Sequence, residues 1–320
     1  MEQKGTSVLA KGREGTKTDG FMSPMIDLKI DYGFKKVFGT DENKRLTIGM
    51  LRAILPDKDI VDLTFIQNQA DVFGSDAKKS VYDIRCTLSD GSRVIVEIQQ
   101  TKQHHFKERV LYYGSMPISN QIKVGADYRM EQVIVVSFVT FDMPHGEKWD
   151  EKVRTHYRLR EVHGDDEMTD RLEFVFVELG RMNKSAEECE TFEEKLYHCI
   201  LHMEKMEVMP ENFDEDYFKA LNRAARTANF TGEELEEYRK AMRTERDLIN
   251  QLAYAHDKGV EEGFTNGFDR GREDGKTEGL AEGKSEASLA IASSLKQQGT
   301  LSMEQIAQAT GLSIEVIENL

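Results

Sequence analysis

The sequence predicts an α/β fold, a mixed sheet flanked by helices, followed by a helical C-terminal region. Three observations predict it. Between Asp59 and Leu179, short runs rich in Val, Ile and Phe are interrupted by one helical stretch. Within them, Val81–Gln100 reads as two alternating strands around Ser89-Asp90-Gly91. Beyond Asn183, apolar residues recur almost only at three- and four-residue steps. The composition agrees: 39% of the 320 residues are hydrophobic, enough for a core, and only five are prolines.

Taken in order, residues 1–24 are Gly/Thr/Lys-rich and aperiodic, a disordered leader. Phe34, Val37 and Phe38, then Leu46, Met50, Leu51, Ile54 and Leu55, predict one or two amphipathic helices ended by Pro56. Asp59–Phe65 reads as a strand and Val81–Gln99 as two more. A helix follows through Phe106, Val110 and Tyr113 towards Ile122, kinked at Pro117. Val133–Phe141 is a buried strand and Arg171–Leu179 another. These elements make a core over residues 25–182.

Residues 183–258 form a helical region. Glu187–Met206 and Glu215–Ala228 have helical periodicity, and Thr231 with Glu233 and Glu234 starts a further helix. From Gly259 to Gly283 a glycine falls at every fourth position, with charged residues between. The apolar surroundings of a membrane GxxxG pair are missing. Residues 259–286 are therefore a linker or helix with two open readings. Glycines costing about 1 kcal/mol each relative to alanine leave a frayed helix, or the stripe lets two helices approach across a dimer. Residues 287–320 are a tail whose end, Ser302–Leu320, reads as two short helices about Gly311. It carries no Lys or Arg, which favours docking or dimerisation over DNA reading. A homo-oligomer built through the C-terminal helical region is expected.

The composition also excludes. Three cysteines, an odd number, argue against a disulfide scaffold, and none has zinc spacing with histidines. No apolar run could span a membrane, and the N-terminus has no apolar signal core. The expectation is a cytoplasmic protein with no membrane association. The net charge of −15 is unevenly spread: +1 over residues 1–25, −3 over 26–181 and −13 over 182–320. A near-neutral N-terminal half can still carry a basic groove, so acidity does not exclude nucleic acid.

The Val81–Gln100 hairpin carries the chemistry. A three-residue loop with Gly91 in the left-handed position pairs Leu88 with Ser92. Counting back, Cys86 opposes Val94, Ile84 opposes Val96 and Tyr82 opposes Ile98, so the apolar sets share one face. The same register puts Asp83 opposite Glu97, Arg85 opposite Ile95 and Val81 opposite Gln99. Like charges across a hairpin destabilise it, which calls for a counter-ion. A divalent cation with oxygen ligands is the natural one. Gln99 shares the face of Glu97, where its amide can orient a water. The competing account is an ordinary solvated strand face.

Asp83, a strand–turn–strand, and then Glu97-Ile98-Gln99 resemble the PD-(D/E)XK nuclease signature in its E-x-Q form. Asp31 through Lys35-Lys36 to Gly39, and Arg109 through Tyr112-Tyr113 to Gln121, are similar to the Rpn-type recombination-promoting nucleases and transposases of bacteria. The resemblance implies a restriction-endonuclease-like core and a Mg²⁺-dependent endonuclease, with Mn²⁺ as substitute, acting on double-stranded DNA in recombination or mobility. It makes Asp83, Glu97 and Gln99 catalytic and places the metal on Asp83, Glu97 and the Ile98 carbonyl. Gln99 stands where many relatives carry a lysine. Asp31, Lys35, Lys36, Arg109 and Gln121 become candidates for DNA contact or for support of the site. The alternative is a degenerate nuclease fold that binds nucleic acid or protein without cutting.

Overall fold

The computed structural model describes residues 24–66, 83–122, 125, 127–146 and 152–320. The leader and the pairings of Val81 and Tyr82 lie outside the described residues. Helix α1 (Asp31–Phe38) buries Phe34, Val37 and Phe38, and α2 (Lys44–Ile54) buries Leu46, Met50, Leu51 and Ile54. The Leu55 N–H caps α2 on Leu51 O, one residue before Pro56, where proline disfavours further helix.

Strand β1 is Leu63–Phe65, shorter than the run from Asp59 suggests. The chain at Pro56–Lys58 is still turning, with Lys58 N on Leu55 O and Ile60 N on Lys58 O. Strands β2 (Ile84–Leu88) and β3 (Arg93–Gln99) pair antiparallel in the expected register, Ile84 opposite Val96, Arg85 opposite Ile95 and Cys86 opposite Val94. Leu88 N bonds Ser92 O at 2.8 Å, and Gly91 has φ +88°. Helix α3 (Phe106–Ser119) contains Pro117 and stops short of Ile122. Strand β4 is Val133–Val139. Strand β6, Glu167–Glu178, is longer than expected at its N-terminal end.

A strand the sequence reading missed, β5 (Arg154–Arg160), pairs antiparallel with β6 at the sheet edge. Mostly exposed, it alternates Tyr157 and Leu159 with His156, Arg158 and Arg160, but two apolar residues in a charged run are a weak period-two signal. The strand order is β1-β2-β3-β4-β6-β5, with β3–β4 and β4–β6 parallel and the other pairs antiparallel. The fold is a mixed six-stranded sheet flanked by helices, with a long helical C-terminal region.

A parallel β3–β4 pair requires a crossover, and α3 supplies it by lying over one face of the sheet. Ile95, Val133, Val135 and Phe176 pack there against Phe106 and Val110. Gly114 lets α3 approach closely, since a Cβ on it would lie 2.9 Å from Leu172 Cδ1 and 3.0 Å from Phe174. The other face packs on α1, α2, α4 (Phe192–His202) and α5 (Asp216–Ala225), with Phe34, Met50, Leu196 and Phe218 buried against Val94, Val96 and Phe138. Covered on both faces, β3 is buried from Val94 to Ile98.

Helix α6 (Gly232–Gln298) begins with a reciprocal cap, Thr231 N on Glu234 Oε2 at 2.8 Å and Glu234 N on Thr231 Oγ1 at 3.2 Å. The chain divides into two units, the first ending at Arg246 and the second running from Asp247 to Leu320. The second holds the rest of α6, α7 (Met303–Thr310) and α8 (Ile314–Glu318). Ala292, Ile306 and Ile317 form its small core, and Gly311 turns the chain at φ +75°. Among the described residues no helix is long and apolar enough to cross a membrane.

Candidate active site

The hairpin register sets Asp83 beside Glu97, with Lys35 of α1 on Asp83 and the Arg109 guanidinium of α3 acting on Glu97. The two acid side chains are not on a solvated face: Asp83 is 9% exposed and Glu97 6%. The two strands bind each other's acid. Ile98 N donates to Asp83 Oδ2 at 2.7 Å, and the backbone of Asp83 donates to the Glu97 carboxyl. In an extended strand the N–H and C=O of one residue point the same way, so the Ile98 carbonyl also faces the Asp83 side.

Burial first, then a hydrogen bond and repulsion from Asp31, push the Asp83 carboxyl up to about 8. Burial, then repulsion from Asp83, raises Glu97 well above its ordinary value, against the pull of Arg109 and Lys35. Glu97 Oε1 is buried and has no hydrogen-bond partner among the described residues. The next residue across the sheet, Ser137, is fully buried and its hydroxyl is also unpartnered there. A lone polar residue inside the run Val133–Val139 was the signal for it.

Two of the candidate residues on α1 join this pair. Lys35 Nζ bridges Asp31 Oδ1 at 2.7 Å and Asp83 Oδ1 at 3.2 Å. Partial enclosure raises the Asp31 carboxyl, but hydrogen bonds from Asp83 and Lys35 outweigh it and hold the group below its ordinary value. Asp31 makes no side-chain cap; the N-cap position belongs to Ile30. Gly33 fixes α1 here, because a Cβ on it would lie 2.3 Å from Asp27 O.

From α3, Arg109 donates through Nη2 to Gln99 Oε1 at 2.5 Å and through Nη1 to Gln103 Oε1 at 2.5 Å. The rings of Phe106 and Tyr113 lie 5.0 and 5.7 Å from its guanidinium carbon. Aromatics three residues before and four after an arginine share its helix face, so Phe106 and Tyr113 flank Arg109. The Gln99 carbonyl is thus committed to Arg109.

Two candidates stand apart. Lys36 turns from the site to Glu234, at 2.5 Å, over the Phe230 ring. Gln121 lies beyond the end of α3 and clasps the Glu131 backbone at 2.6 and 3.1 Å. Glu131 precedes Ser137 by six strand-like residues, about 20 Å at ~3.3 Å each, so Gln121 sits at the far end of the sheet. A groove of about 800 Å³ lined by Arg45, Arg52, Phe192 and Tyr217 includes neither Asp83 nor Glu97.

A family model described as PD-(D/E)XK nuclease family transposase matches residues 28–255. The chain belongs to that family. No curated protein and no solved structure matches it. Nucleases of the PD-(D/E)XK family generally use divalent metals, and the donor set can be tested against one. Among the described residues no group of three His, Cys, Asp or Glu side chains is placed to hold a metal. The set is instead two buried carboxylates and a strand carbonyl, all oxygen, with one oxygen unpartnered. Hard divalent cations take such ligands, so the residues fit. Asp83, Glu97 and the Ile98 carbonyl would hold the ion, which when bound would activate a water.

Proposed function

We propose that this family member is a Mg²⁺-dependent endonuclease of double-stranded DNA, with Mn²⁺ as substitute. The observation that carries the reading is the buried Asp83–Glu97 pair with its unpartnered Glu97 oxygen. Two buried acids held together are destabilising unless a cation or protons neutralise them. Asp83 and Glu97 hold the ion through their carboxylates, and Lys35 and Asp31 keep Asp83 in place. Gln99 cannot accept a proton as a lysine amine does, so proton removal from water falls to the metal site. A role in recombination or mobile-element activity, and assembly through the C-terminal helices, extend the same reading.

The second reading is a degenerate nuclease fold that binds without cutting. It draws support from Gln99 at the lysine position and from Lys35 already paired with Asp83. Supercoiled plasmid incubated with Mg²⁺, with chelator, and with Asp83→Ala or Glu97→Ala separates the two. Nicking that needs metal and both carboxylates supports the enzyme. Duplex binding with no nicking under any of these conditions supports the binding module and removes the enzyme.

A further inference from the structure

We propose that Arg109 supplies the positive charge that contacts the scissile phosphate, and that Gln99 is its positioning residue. The proposal rests on the nuclease reading and deepens it.

The cations of the region have different commitments. Lys35 is neutralised by Asp31 and Asp83. Lys36 pairs with Glu234 away from the site. Arg109 hydrogen-bonds two neutral amides, Gln99 and Gln103. Amide oxygens orient a guanidinium without cancelling its charge. The Arg109 Nε–H is buried and has no acceptor among the described residues. Phe106 and Tyr113 hold the group by its faces, and its charge acts directly on Glu97. A fixed guanidinium near Glu97, hydrogen-bonded to no carboxylate, suits a phosphate that arrives together with a metal. The glutamine of the E-x-Q element then holds the cation in place of being one.

The test uses the full chain, plasmid cleavage in Mg²⁺, and duplex binding by anisotropy in Ca²⁺ at several salt concentrations. Arg109→Gln should lower kcat by about 10²-fold, the size of effect seen when one preorganised charge is removed, with a smaller change in KM. Its melting point should stay near that of the parent. The salt slope of binding should shrink by about one ion. Arg109→Lys should recover part of the rate. Gln99→Lys placed in the Arg109→Gln background should raise kcat at least tenfold by returning the charge to β3.

An Arg109→Gln protein with parental kcat and salt slope overturns the proposal while leaving the nuclease reading intact. So does a rate loss matched by a fall in melting point that neither Arg109→Lys nor Gln99→Lys relieves, because the residue is then structural. A parent that neither cuts nor binds duplex overturns the nuclease reading and this inference with it.

Discussion

Asp83 Oδ2 lies 2.7 Å from the Ile98 nitrogen, so this acid is clipped to the strand that carries Glu97 one residue earlier. Asp83 cannot swing away without breaking that bond, and the Asp83 backbone in turn donates to the Glu97 carboxyl. The pair therefore has two routes to neutrality, protons or a cation, and both give measurable consequences.

The first consequence is a pH dependence of stability. Burial and neighbouring acids hold Asp83 at about 8 against an ordinary 3.8, and raise Glu97 as well. Between pH ~4 and ~8 the folded chain therefore binds more protons than the unfolded one, and stability falls as pH rises through that window. Melts in chelator should show a lower Tm at pH 8 than at pH 5, and Asp83→Asn should flatten the difference. Mg²⁺ should raise the Tm more at pH 8 than at pH 5, because at pH 5 protons compete for the site. A parent with equal Tm at both values in chelator would remove the strained pair from the account.

Removal of either acid should separate stability from chemistry. Asp83→Ala relieves repulsion but leaves the Ile98 N–H without its acceptor, a loss of about 1–3 kcal/mol where no water replaces it. The two effects oppose, so its stability in chelator should lie within about 1 kcal/mol of the parent. Glu97→Ala relieves the same repulsion but leaves the Asp83 N–H without its acceptor, so it too should stay within about 1 kcal/mol of the parent. Both variants should lose plasmid cleavage and the Tm gain on adding Mg²⁺. Either one melting far below the parent in chelator makes the pair structural.

The hairpin was legible in the sequence because Gly91 and a strict two-residue alternation leave one register that buries the apolar set. Strand β5 was not, because its two-residue period rests on only Tyr157 and Leu159, both largely exposed at the sheet edge among charged residues. Lys35 and Lys36 are adjacent in sequence but point about 100° apart on α1, and the sequence alone could not choose between them. Lys35 reaches Asp83 while Lys36 reaches Glu234. Gln121 was placed on α3 because periodicity ran on towards Ile122. The helix ends at Ser119 soon after Pro117, and Gln121 bonds the Glu131 backbone.

The seat of α3 can be tested apart from the chemistry. Gly114→Ala puts a Cβ about 3 Å from Leu172, Phe174 and Val135. Overpacking of this kind costs typically 1–3 kcal/mol. Because α3 also carries Arg109, cleavage should fall with it. Denaturant melts should show the loss, and a parental midpoint would mean that α3 shifts freely on the sheet.

Assembly is the next expectation. The second unit exposes Phe264 at 76% and Phe268 at 62%, along with Leu280 and Ile291, on a helix that nothing in its own unit covers before the small terminal core. Large apolar side chains left in water favour association. Light scattering on the full chain should give more than one copy, and a chain ending at Arg246 should give one. A monomeric full-length protein removes the C-terminal region as an assembly device.

The glycine tetrads allow a sharper version of that measurement. An added Cβ at any glycine from Gly259 to Gly283 meets nothing within 4 Å, so the chain's own packing does not require them. Each lowers helix stability by about 1 kcal/mol relative to alanine, and seven within one exposed segment predict a frayed helix in solution. Replacing Gly263, Gly267 and Gly271 with alanine should raise the helical circular dichroism signal. If the tetrads are only a weak linker, the mass by light scattering should not change. If they form a seam where two copies meet, three methyl groups push the helices apart, and the mass should drop even as helicity rises. The expected result is higher helicity at constant mass, with association resting on the apolar side chains of the second unit.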